Sequence, residues 1–166
     1  MPRSFDVSVD SPAGADEILA AFGDERYWRA RLAAGDGAVT LDSLAVDPAG
    51  RVAVTVTASL VRVELPKPIA RFQRGDLRMV HNEAWSRVGD QVRGEVEVTV
   101  RGLRASAFAE ALLVPIRSGS RLSVAVTVAV KVPLIGGQIE NLVGDQLDEG
   151  IAATLGFTSD WIAENR

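Results

Sequence analysis

The 166-residue chain has no cysteine and one histidine, His81. Without thiols there is no thiol catalysis, no disulfide and none of the common zinc motifs. One imidazole leaves little room for a histidine-based metal site, so no metal and no cofactor are expected. Lysine is nearly missing as well, with Lys67 and Lys131 among 18 basic residues, against 22 acidic ones. The net charge of −4 and the pI near 5.1 disfavour general nucleic-acid binding. The longest strongly apolar stretch free of charge, Leu122 to Val130, is far shorter than the roughly 20 residues of a membrane helix. Met1 to Asp6 has no apolar core of the kind a signal peptide needs, so a cytoplasmic location is expected. There is no G-x-S-x-G elbow, Walker loop or G-x-G-x-x-G, which makes serine hydrolysis, phosphoryl transfer and nicotinamide chemistry poor readings.

What is present is ordinary globular usage, 47% hydrophobic and 24% charged, over a length that suits one domain, 1–166. Ser4 to Asp10 alternates apolar and polar residues, as a half-buried strand does. Ser11-Pro12 predicts a helix start, with Ile18, Leu19 and Phe22 on one face and Gly23 as the stop. Asp24 predicts a second start, followed at helical spacing by Tyr27, Trp28 and Leu32, with Arg31 a further candidate and Gly35 at its end. From Ala38 to Val132 the period is two. Strands are predicted around Val39–Leu44, then over 51–63, 77–88, 91–101, 103–116 and 121–132, with turns at Asp47–Gly50, Gly89-Asp90 and Ser118–Ser120. Leu65-Pro66-Lys67-Pro68 must interrupt the sheet, because proline cannot donate to the ladder.

The tail changes period again. Ile135, Ile139, Leu142, Val143, Leu147, Ile151, Leu155 and Trp161 recur every three to four residues, the mark of a long amphipathic helix. Gly144, Gly150 and Gly156 each cost such a helix on the order of 1 kcal/mol, and close packing, a kink or room for a guest would offset it. The fold expected is α+β, a curved antiparallel sheet of six or seven strands around a long carboxy-terminal helix, with two short helices after the first strand.

This order of elements resembles the helix-grip fold of the START-like, or SRPBCC, superfamily, which includes birch-pollen-allergen-like proteins and polyketide cyclases. Asp24-Glu25-Arg26-Tyr27-Trp28, and Pro133 to Glu140 leading into the last helix, are similar to an uncharacterised actinobacterial family within it. The resemblance implies a hydrophobic pocket between sheet and last helix, and so a lipid or polyketide-like ligand. It does not choose among the transport, cyclisation, hydrolysis and co-chaperone roles that the superfamily builds on one cavity.

Met79, His81, Glu83 and Trp85 share one strand face, because side chains two apart point the same way. Together with Leu142 and Gln146 of the last helix they are the expected ligand-binding residues. A buried His–Glu pair could orient a ligand hydroxyl or move protons. The favoured expectation for His81 and Glu83 is nonetheless an edge or pocket mouth where both are solvated. Tyr27, Trp28 and Trp161 are expected in the core. Asp145, Asp148 and Glu149 are expected to be a solvated helix face, since no loop of oxygen ligands accompanies them. Between Arg62 and Arg93 seven basic residues face four acidic ones, an imbalance suited to an anionic head group or partner, or to an ordinary mixed surface. Three functions follow: a binder of apolar ligands, a cyclase or aromatase using the same pocket, and a protein-interaction module.

Overall fold

The structure is a computed structural model that describes residues 2–35, 39–59 and 77–166. Seven strands form one antiparallel sheet: β1 (Arg3–Ser11), β2 (Val39–Val46), β3 (Val52–Ser59), β4 (Arg78–Val88), β5 (Gln91–Arg101), β6 (Ala105–Ile116) and β7 (Gly119–Val130). Their order is β1-β7-β6-β5-β4-β3-β2, so every neighbouring pair except β1–β7 is consecutive in sequence. Helices α1 (Ala15–Phe22) and α2 (Glu25–Ala33) follow β1, and α3 (Gly136–Glu164) ends the chain.

Local chemistry sets most boundaries. Asp24 caps α2 as expected, its Oδ1 accepting from the Arg26 N–H at 2.9 Å. The first helix starts later than Ser11-Pro12 suggested, at Ala15 after Gly14. Ser11 Oγ instead accepts from the Ala13 N–H, forming a turn, and Glu17 reaches back to the Gly14 N–H at 3.1 Å. In the Asp47–Gly50 turn, Asp47 Oδ1 accepts from the Ala49 and Arg51 N–H groups and Gly50 takes φ 85°. The 51–63 strand is described only to Ser59, and its remainder and the Pro66–Pro68 break lie outside the described residues. A register shift between Leu41 and Ser43 explains why β2 places Leu41 and Leu44, three apart, against Val56 and Val54 of one β3 face.

The inner face of the sheet is the valine face. Val52, Val54 and Val56 of β3, Leu113 of β6 and the alternate residues Leu122 to Val130 of β7 are buried. Helix α1 packs on β4 through β7, α2 on β2, and α3 on β1 and β7. The inner strip of α3 is not the one drawn through Leu142 and Val143, which are 49% and 37% exposed. It runs through Glu140, Gly144, Leu147, Ile151, Leu155, Thr158 and Ile162, spaced by three or four. Three of these seven positions are polar or glycine, so an apolar search steps off the strip at its first half. Gly144 is forced, since a Cβ there would run into the Phe5 ring, whereas Gly150 and Gly156 face open space.

Candidate functional site

One end of the inner face is closed by aromatic packing. Phe22 of α1 meets Trp85 of β4 at 4.9 Å between ring centroids, and Tyr27 meets both Trp28 and Trp161 edge-on. Trp85 can lie flat across β5 because its partner there is Gly94, where a Cβ would enter the indole. Trp28 Nε1 donates to the Phe22 carbonyl at 2.7 Å, and Tyr27 hydrogen-bonds Thr158 of α3 at 2.6 Å. Burial holds the Tyr27 hydroxyl above its ordinary pKa. Tyr27 and Trp28 are thus core residues as expected, and Trp161 is half-buried against them.

A charged network sits against this wall. Glu83 is 5% exposed on the inner face of β4. Its Oε1 accepts from Trp85 Nε1 at 2.9 Å, and its Oε2 lies 2.7 Å from His81 Nε2. The Arg31 guanidinium of α2 stands 3.8 Å from Oε2 while stacking 4.7 Å over Trp28. Burial pushes the Glu83 carboxyl up, but the His81 hydrogen bond, the Arg31 and His81 charges and the Trp85 N–H outweigh it and bring it down to about 2. Glu83 is therefore a carboxylate and can only accept, so Nε2 of His81 must carry the hydrogen between them. The expectation that both side chains are solvated is corrected: Glu83 is buried and His81 is one quarter exposed. The missed member is Arg31. Only its helical spacing from Tyr27 and Trp28 hinted at an inward position.

Beyond His81 the inner face is left less covered. Met79 on β4, Val96, Val98 and Val100 on β5, and Ala105 and Ala107 on β6 are all half-buried. Among the described residues the helix backbones approach the sheet most closely where α1 meets β4 to β7, α2 meets β2, and α3 meets β1 and β7. Leu147 and Ile151 of α3 are likewise only partly covered. Met79, His81, Glu83 and Trp85 share one face as the alternation required, whereas Leu142 and Gln146 lie off the inner strip of α3 and do not join them. Asp145, Asp148 and Glu149 are not buried, and no group of three metal-ligating side chains is found among the described residues. A separate groove of about 710 Å³ lies on the outer side of the sheet, but Asp6, Arg93, Glu95 and Glu110 give it a charged lining unsuited to an apolar guest.

This architecture places the chain among known proteins. Residues 6–162 match the family model described as protein of unknown function DUF2505. The chain belongs to the DUF2505 family. It is 35% identical to the uncharacterized protein Rv0481c of Mycobacterium tuberculosis, the match covering 99% of each chain. Its fold is similar to that of TTHA0849 from Thermus thermophilus, with 17% identity, a TM-score of 0.58 and coverage of 98% and 99% of the two chains. It is also similar to a START superfamily protein from Mycobacterium smegmatis, with 18% identity, a TM-score of 0.52 and 99% of each chain covered. This chain thus has the helix-grip architecture that the order of elements implied. No described helix is long and apolar enough to cross a membrane.

Proposed function

We propose that this DUF2505 protein binds a hydrophobic small molecule, lipid-like or polyketide-like, against the inner face of its sheet beside α3. The observation that carries this reading is the half-buried strip Met79, Val96, Val98, Val100, Ala105 and Ala107. Apolar surface left partly wet on a concave face is the usual lining of a ligand site, and covering it yields roughly 25 cal/mol per Å². The Glu83 network lies at the inner end of the strip. There Glu83 fixes the His81 ring, and Nδ1 is the atom that would meet a ligand hydroxyl.

The same geometry favours binding over catalysis. A carboxylate held near pKa 2 is a weak base and holds no proton to give at neutral pH, so Glu83 orients His81 rather than exchanging protons itself. A cyclase reading therefore needs His81 alone as its acid or base.

Extraction of the denatured, purified protein followed by mass spectrometry tests the proposal. A stoichiometric apolar molecule is expected, and its yield falls in Val98→Asp, which puts a charge on the strip. A protein that takes up neither a native guest nor added fatty acids and polyketide-like aromatics refutes it. Turnover of a cyclisable substrate that is lost in His81→Ala would favour the cyclase.

A further inference from the structure

The two rims of the sheet carry charge differently. At the α1 end three basic side chains are matched, Arg121 with Asp10 at 2.7 Å, Arg87 with Asp16, and Arg166 with Glu17 at 2.8 Å, while Arg51 and Arg117 stand exposed there. At the other rim, where β4 and β6 begin and β5 and β7 end, the exposed charges are Arg3, Arg78, Arg101, Arg104 and Lys131. Among the described residues the acid paired with any of them is the buried Glu140, 4.0 Å from Arg3. Arg78 and Arg101 stand directly opposite each other on β4 and β5. Like charges in that register destabilise a sheet, so their pairing calls for an external anion. In a chain of net charge −4, this rim thus presents five exposed cations among the described residues.

An apolar projection accompanies them. Leu134, between β7 and α3, is fully exposed and holds φ at 71°, a conformation that a leucine rarely adopts. Cations around a protruding leucine match a phospholipid surface, with phosphates outside and hydrocarbon beneath. A nucleic acid would give the leucine nothing to enter. The half-covered apolar strip runs out toward this same rim at Met79, Val100 and Ala105.

We propose that this rim docks on an anionic bilayer, with Arg78, Arg101, Arg104 and Lys131 on the phosphates and Leu134 inserted among the acyl chains. Docking there turns the strip toward the lipid, and it goes beyond ligand binding by naming the surface from which a guest is drawn. Each cation near such a surface contributes about a fivefold factor in partitioning, weakened by salt.

The test is co-sedimentation of the full chain with phosphatidylcholine vesicles, pure or mixed with phosphatidylglycerol. Binding is expected only to the mixed vesicles and is released by salt. Arg78→Gln with Arg101→Gln is expected to weaken it about 25-fold, from two such factors. Leu134→Gly, which suits the positive φ and so preserves the fold, is expected to weaken it about tenfold through lost apolar burial. Arg51→Gln with Arg117→Gln, exposed residues of the opposite rim, removes equal charge and is expected to change nothing. The proposal is overturned by no binding, by equal binding to both vesicles, by equal losses in the two arginine pairs, or by equal rim-dependent affinity for duplex DNA. Vesicle binding is read on the protein and the guest by mass spectrometry, so failure here and failure of the ligand-binding reading are seen separately.

Discussion

At one end of the sheet, α1 presses Phe22 onto Trp85, α2 sets Tyr27 and Trp28 against Phe22, and the inner residues Val92 and Leu113 are fully buried. At the other end the same strands carry Val98, Val100, Ala105 and Ala107 on the same face, and these are only partly covered. Composition does not separate the two ends, since both are lined by small and branched apolar residues. The difference is what lies on top of them. Large rings fill the closed end, while the open end carries half-buried small side chains and ends at a rim of exposed cations. Stability therefore belongs to one end of the sheet and adaptability to the other.

The largest expected effect falls at the closed end. Trp85→Ala removes an indole that is 5% exposed and empties the space over Gly94, so a loss of about 3–5 kcal/mol is expected by urea unfolding. Val98→Ala, on the same face but half-buried, is expected to cost about 1 kcal/mol or less, because less surface returns to water. Equal costs at the two sites would abolish the contrast between the ends.

Glu83 stands between the two ends and ties them together. Glu83→Gln leaves Arg31 without its counter-charge and supplies one acceptor where two donors, from His81 and Trp85, converge. A loss of roughly 2–3 kcal/mol is expected at neutral pH. The pH dependence follows from the depressed carboxyl. Its folded pKa of about 2 lies below the ordinary 4.5, so its contribution is full above pH 4.5 and fades as pH falls toward 2. Urea midpoints measured across that window are expected to fall more steeply for the native chain than for Glu83→Gln. Parallel curves would mean that the carboxylate is not held by these partners.

Much of this was legible before any coordinates. Period-two valines located the strands, and Asp24 and Gly23 marked their helix ends. The shared face of Met79, His81, Glu83 and Trp85 followed from alternation alone. Burial of Glu83 did not, because it depends on Arg31 arriving from α2, far away in sequence. The expected stripe meets the inner strip of α3 at Leu147, Ile151 and Leu155 but leaves it at Leu142 and Val143, for a related reason. Glu140 is buried by accepting the Val130 N–H at 2.9 Å, Thr158 by bonding Tyr27, and Gly144 by fitting under Phe5. Partners on other elements make those positions interior, and hydropathy along one helix does not record partners. Leu142 attracted the reading because it is apolar, yet it stands 49% exposed.

The glycines of α3 sharpen the comparison with the smallest expected effects. Gly144 sits where α3 is pressed onto β1, and Gly144→Ala must displace the Phe5 ring, so a loss of about 1–3 kcal/mol is expected. Gly150 and Gly156 have no heavy atom within 4 Å of an added Cβ. There alanine meets no resistance and restores helix propensity, a gain of about 1 kcal/mol each, measured as a higher urea midpoint. A stabilised Gly150→Ala that still takes up an apolar guest would show that this glycine leaves room for nothing. A stabilised variant that no longer takes one up would place Gly150 against the guest, and would extend the open end of the site along the helix past Leu147 and Ile151.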